Sequence, residues 1–176
     1  VGSEMCIRDR SRNGHIAVAA DGSSWIWTPD RSEAYLTRDK GASWQSCRGL
    51  PKNIRVIADK VNPQRFYAVD AVAEILYSSE DGGATFHADT LNLTVKRFQR
   101  GNAGAAVRRG DPRGGQDRIY ATPGHEKDLW IAAYDGLYRS AASEKFDFRA
   151  LDKVRTIYAF GFGKAKPGND YPAIYL

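Results

Sequence analysis

Thr37-Arg38-Asp39-Lys40-Gly41-Ala42-Ser43-Trp44 and Ser79-Glu80-Asp81-Gly82-Gly83-Ala84-Thr85-Phe86 are two renderings of one pattern. A hydroxyl residue opens it, Asp follows two places on, Gly two further, then a second hydroxyl and a closing aromatic ring. The two aspartates lie 42 residues apart. Alternating apolar runs flank each copy, and a repeat of this length with one turn motif per copy is the mark of a β-propeller blade. The expected fold class is therefore all-β, a partial seven-bladed propeller of four-stranded antiparallel blades.

The residue types follow from turn chemistry. An Asp carboxylate can accept backbone N–H bonds across a tight turn. Glycine tolerates the positive φ that a Cβ opposes. The hydroxyls add side-chain to backbone bonds, and the ring packs between sheets, where truncation of a buried aromatic costs about 3–5 kcal/mol. Thr37, Asp39, Gly41, Ser43 and Trp44, with Ser79, Asp81, Gly83, Thr85 and Phe86, are accordingly read as structural, not catalytic. The pattern is similar to the Asp-box of sialidase-like propellers.

Working outward, alternation and turn signals predict further strands. A first blade takes residues 16–20, 24–27, 34–37 and 43–46. A second takes 55–59, 65–70, 74–78 and 85–87, and a third 118–121, 129–132, 136–139 and 146–151. A fourth begins with 156–162 and 172–176. The third box has decayed, because Ser140-Ala-Ala-Ser-Glu-Lys-Phe146 lacks both Asp and Gly. No helix is expected, and 141–146 reads as a loosened turn. The boxes fall on one rim. The loops 28–33, 47–54, 70–73, 88–117 and 134–135 fall on the other.

The 176 residues are 42% hydrophobic, with 17 glycines and a net charge of +5, which suits a turn-rich globular body. Seven of the basic residues and two Asp lie between Lys96 and Arg118. That segment holds one aromatic, Phe98, so it lacks the stacking platforms of a nucleic-acid site, and no nucleic-acid partner is expected. His15, His87 and His125 have no metal-ligand spacing, and no metal or cofactor is expected. No run of 18 apolar residues suggests a membrane span. Residues 1–10 resemble translated sequencing-adapter DNA and hold the sole Met (Met5). The C-terminal residues stop inside an apolar alternation. An internal fragment, with native sequence from residue 11, is expected. Cys47 is then the single native cysteine, which is neutral on secretion.

Longer phrases resemble one family, the family 74 glycoside hydrolases or xyloglucanases. They are GHIAVAADGSSWIWTP (14–29), CRGLP (47–51), IRVIADKVNPQRFYAVD (54–70), YSSEDGGATF (77–86), DLWIAAYDGLYRS (128–140) and YAFGFGKAKPGNDYPAIYL (158–176). The resemblance covers nearly all of 13–176 in order. It departs at the third box and at the basic insertion. It implies about three blades and the start of a fourth, from the C-terminal of two propellers that clamp a polysaccharide. It also implies secretion and hydrolysis of the β-1,4-glucan backbone of xyloglucan with inversion by two aspartates. The phrases that carry those aspartates in the family, R-T-D-x-G-G and an opening G-D, do not occur here. Asp21, Asp59 and Asp70 end strands in other contexts, so no catalytic residue is assigned and the isolated fragment is expected to be inert.

A glucan site needs flat aromatic faces and hydroxyl-bonding side chains. The candidates for sugar contact are Trp27 near the open rim, Trp130 in mid-strand, and Tyr134 with Asp135 on a rim loop. For both tryptophans, packing between blades is the competing reading. Expected partners are xyloglucan or a related β-glucan and the N-terminal propeller of the same chain, with no membrane partner. Two other functions compete: a non-catalytic Asp-box propeller that binds proteins, of the sortilin-like or photosystem-assembly kind, and a sialidase. The latter needs an Arg-Ile-Pro phrase, which Arg118-Ile119-Tyr120 is not.

Overall fold

The computed structural model describes residues 14–70, 73–91, 118–133, 136–141, 145–155, 157 and 159–176. These form fourteen strands, with no helix among the described residues. Strands β1 (Gly14–Val18), β2 (Trp25–Pro29), β3 (Tyr35–Thr37) and β4 (Gln45–Ser46) make the first sheet. The second holds β5 (Val56–Ala58), β6 (Phe66–Asp70), β7 (Ile75–Ser79) and β8 (His87–Thr90). The third holds β9 (Arg118–Ala121), β10 (Leu129–Ala133), β11 (Gly136–Ser140) and β12 (Arg149–Ala150). Strands β13 (Gly161–Gly163) and β14 (Ala173–Tyr175) form a hairpin. Each four-stranded sheet is a meander in chain order.

The chain divides into two compact units. One is Val1–Asp70 with Leu76–Asp89, and the other is Ala71–Ile75 with Thr90–Leu176. In the first unit, register puts Ile16, Trp27 and Tyr35 on one face of the first sheet, joined by Val18, Trp25 and Thr37. Ala17, Ile26 and Leu36 occupy the other face, where Ile26 and Leu36 are fully buried. That second face meets the second sheet. A Cβ on Gly83 would lie 2.3 Å from Ile26 Cδ1 and 3.5 Å from Phe66. Backbone bonds tie the sheets as well: Arg48 N–H donates to Ala84 O and Phe86 N–H to Arg48 O, both at 2.9 Å. Gly49, at φ 82°, permits this approach, since a Cβ there would stand 2.1 Å from Phe86 O.

In the second unit, Trp130, Ala132, Leu137 and Ile157 form a buried cluster that Tyr120, Phe160, Phe162 and Ile174 pack against. All five residues of β10 are buried, as expected of a strand covered on both faces.

Strand ends differ from the sequence expectation where a side chain captures the backbone first. The run 43–46 shortens to β4 because Ser43 is bonded to Asp39 within the turn. The run 85–87 gives way to β8, since Thr85 pairs with Arg48 in an isolated bridge instead. The expected strands 146–151 and 172–176 contract to β12 and β14, and β13 overlaps the end of the expected 156–162, of which 156 and 158 lie outside the described residues. Of the basic segment 96–118, only Arg118 lies among the described residues, and residues 1–10 also lie outside them.

Candidate functional site

The two box turns have the geometry their side chains dictate. Asp39 Oδ1 accepts from Ser43 N–H at 2.8 Å and from the Thr37 hydroxyl at 2.7 Å, while Oδ2 accepts from the Ser43 hydroxyl at 2.6 Å. Asp81 Oδ1 accepts from Ala84 N–H, Thr85 N–H and the Ser79 hydroxyl at 2.9, 3.0 and 2.8 Å. Thr37 and Ser79 in turn accept from Gly41 N–H and Gly83 N–H. Both glycines are left-handed, at φ 94° and 91°. The residue before each is left-handed too, Lys40 at 57° and Gly82 at 73°.

Hydrogen bonds from the Ser43 hydroxyl, then Ser43 N–H and the Thr37 hydroxyl, hold Asp39 at about 2. For Asp81, burial pushes the carboxyl up, but bonds from Thr85, Ser79 and Ala84 outweigh it and the net shift is downward. The turns lie on the same side of their unit, since Arg38 Nη2 donates to Asp81 O at 2.8 Å. Cys47 sits buried nearby, its thiol pushed up to about 12 by that burial and by Asp81, so little nucleophilic thiolate forms at neutral pH.

At the opposite end of the first unit, the β2–β3 turn and the connection between the two sheets fasten together. Asn53 N–H donates to Ser32 O at 3.2 Å, and Arg31 N–H to Asn53 Oδ1 at 3.4 Å. Arg31 and Asn53 both have φ near 60°, a conformation in which a non-glycine residue persists when its surroundings hold it. Thr28 donates to His15 O at 3.2 Å, closing the same edge. Trp27 is half-buried there, with Tyr35 at 6.2 Å and Trp44 edge-on at 5.9 Å between ring centroids. Its indole nitrogen lies over Gly14, where a Cβ would approach to 2.9 Å.

Trp130 is different from the expectation of a sugar platform. It is 2% exposed, and its indole N–H is shared between the Thr122 hydroxyl and Tyr171 Oη, each at 3.1 Å. With the Arg139 guanidinium 5.2 Å from its ring centroid, it offers no face to a ligand, and that assignment is corrected. Around it lies a network the sequence did not announce. Asp128, 3% exposed, accepts from Arg139 Nε at 3.0 Å and Nη2 at 2.6 Å, and from the Tyr171 hydroxyl at 3.0 Å. Bonding to Asp128 raises the Arg139 pKa, and burial raises that of Tyr171. Tyr134 and Asp135, between β10 and β11 in sequence, lie outside the described residues.

Two sheets use one device at the turn after their first strand. Tyr67 donates its hydroxyl to Asp59 at 3.1 Å, and Trp130 donates to Thr122, eight residues back in each case. Asp59 further accepts from Val61 N–H and Asn62 N–H, so it is a turn residue. Between β1 and β5 opens a groove of about 330 Å3 whose lining includes His15, Ile16, Val18, Arg55 and Lys60. Among the described residues, no group of three or more His, Cys, Asp or Glu could hold a metal ion. No helix among them is long and apolar enough to cross a membrane, which says nothing of membrane-spanning strands.

No family model matches the chain. It is 36% identical over 163 residues to the xyloglucanase Xgh74A of Acetivibrio thermocellus, covering 93% of this chain and 17% of that protein. Its fold matches the crystal structure of a GH74 enzyme from Niastella koreensis with TM-score 0.70 and 27% identity, over 92% of this chain and 21% of that one. The GH74 xyloglucanase from Xanthomonas campestris matches with TM-score 0.68 and 28% identity over the same shares. The chain thus spans about a sixth of the length of the curated relative, and its meanders are blades of a partial β-propeller.

Proposed function

We propose that this chain, a segment of a glycoside hydrolase family 74 protein, forms part of the cleft wall of an exported enzyme that cuts the β-1,4-glucan backbone of xyloglucan with inversion. The match to xyloglucanases along almost the whole chain carries this reading. The fastened loops 28–33 and 47–54 support it, because a rigid rim positions hydroxyl-bonding groups better than a loose one. Tyr134 and Asp135 belong to the proposal as sugar contacts. Inversion requires one carboxylic acid to protonate the leaving oxygen and one carboxylate to activate water, about 6.5–9.5 Å apart. Those two groups are assigned to parts of the protein outside this chain, the N-terminal propeller among them, with this chain belonging to the C-terminal one.

The test is to incubate the full-length protein with tamarind-type xyloglucan and with an unsubstituted β-glucan, following reducing ends and the first-formed anomer by NMR. Release of the α-anomer from xyloglucan is expected. Binding without cleavage would move the protein to the class of non-catalytic binding propellers. A β-anomer as first product would refute the inverting mechanism.

A further inference from the structure

The fastened loops of the first unit hold more backbone strain than joining their two sheets requires. The sheets are already tied at the box end by the Arg48 bonds to Ala84 and Phe86 and by Ile26 over Gly83. At the loop end Arg31 stands at φ 62° and Asn53 at φ 61°, a region that asparagine enters far more readily than arginine. Asn53 Oδ1 accepts from the Arg31 N–H itself at 3.4 Å, and Asn53 N–H donates to O of the next residue, Ser32, at 3.2 Å. The clasp gains no burial of either side chain, since Arg31 and Asn53 are both exposed. A second observation concerns the Arg31 side chain. Among the described residues its guanidinium makes no hydrogen bond or ion pair, although Asp30 and Glu33 stand within two residues of it. Strain that the surroundings over-determine clusters at functional positions, and an unoccupied guanidinium presents five N–H donors in a fixed fork.

We infer that Arg31 is a sugar-contact residue, donating hydrogen bonds to the hydroxyls of a neutral glucan chain that crosses this rim, and that Asn53 is its positioning residue. The inference rests on the proposed xyloglucan cleft and adds to it a named contact and the part that aims it. A guanidinium that no carboxylate of its own turn engages keeps its charged donors available, and hydrogen bonds from a charged donor are the stronger ones. Asn53 contributes in two ways: its side chain supplies the acceptor, and its backbone tolerates the left-handed region. Aspartate can replace it in both respects, glycine only in the second.

Three variants of the full-length protein separate this role from a structural one, with a xyloglucan oligosaccharide as the probe. The readouts are steady-state kinetics, a calorimetric Kd and Tm. Arg31→Gly relieves the left-handed strain, so Tm is expected to hold or rise while KM and Kd climb about tenfold, the loss expected of a hydrogen bond from a charged donor. The change should fall on KM more than on kcat, as for binding shared by ground state and transition state. Asn53→Gly is expected to weaken binding by a smaller factor, and Asn53→Asp to retain wild-type affinity. Unchanged KM and Kd in Arg31→Gly overturn the contact, and so does a fall in Tm that accompanies the weaker binding. Wild-type affinity in Asn53→Gly overturns the positioning role. Binding of xyloglucan without cleavage ends the hydrolase reading, and the Kd series then decides the contact by itself. Normal cleavage with an indifferent Arg31→Gly keeps the hydrolase and removes the contact. Preference for a uronic acid polymer, abolished by Arg31→Gly, overturns the assignment to a neutral sugar, and no binding of xyloglucan at all overturns both readings.

Discussion

Asp39 keeps its charge far into acid because three donors already face its oxygens. Its folded value of about 2 lies below the ordinary 3.8. A depressed carboxylate contributes stability above its unfolded pKa and loses it as pH falls through the folded one. The expected loss therefore runs from about pH 4 to about pH 2, with Asp81 shifted in the same direction. Asp39→Asn should flatten the fall of Tm with pH across that window, and an unchanged slope would remove Asp39 from the acid transition. The two box glycines separate strain from space. Both need positive φ, so Gly41→Ala should cost about 1–2 kcal/mol from backbone conformation alone. Gly83→Ala adds a collision with Ile26, and overpacking contributes about 1–3 kcal/mol more. Denaturant unfolding of the two variants should rank them in that order. These turns could be read from sequence because the hydrogen-bond donors to the Asp39 and Asp81 carboxylates lie within four residues.

At the scale of an element, the third sheet shows what replaces a decayed box. Ser140, fully buried, keeps the place of Thr37 and Ser79, but its hydroxyl accepts from Asp147 N–H seven residues on, not four. No Asp braces this longer turn among the described residues. The Asp128–Arg139 pair instead links the start of β10 to the end of β11, and Tyr171 extends the link to the chain just before β14. Removing one partner of such a pair leaves the other charge uncompensated. Arg139 keeps 35% of its side-chain exposure, so screening trims the penalty. Asp128→Ala should cost about 2–3 kcal/mol, and the double variant Asp128→Leu with Arg139→Met should recover most of it. A non-additive cycle by calorimetry is the check; strict additivity would mean the pair contributes nothing as a pair. None of this was legible beforehand. The Trp130 and Asp128 contacts to Tyr171 span 41 and 43 residues, and a Tyr in a polar loop carries no local sign of such partners. Register puts Trp27 and Ile26 on opposite faces of the first sheet, yet which of a sheet's faces is covered depends on a neighbour that periodicity does not describe.

For the molecule as a whole, the decisive question is whether any acidic residue here is free to do chemistry. Asp39, Asp59, Asp81 and Asp128 are committed to turns, to an ion pair or to buried hydroxyls. A general acid and its partner base must instead be presented to a cleft across the width of a sugar and a water. On the loop rim, Asp30 and Glu33 belong to neither box and Asp70 has partners of its own; Asp30→Asn and Asp70→Asn are the variants that test this rim for a catalytic carboxylate. The expectation is that this chain alone, incubated with xyloglucan, releases no reducing ends, whereas the full-length protein does. Within the full-length protein, Asp59→Asn and Asp81→Asn should lower Tm and leave kcat at temperatures below unfolding within about threefold, since a structural loss of 1–2 kcal/mol acts on the folded fraction and not on the barrier. Asp30→Asn and Asp70→Asn should leave both nearly unchanged. A loss of kcat by more than about a thousandfold in either rim variant, with Tm intact, is the scale expected of a removed acid or base, and would place a catalytic carboxylate inside this chain.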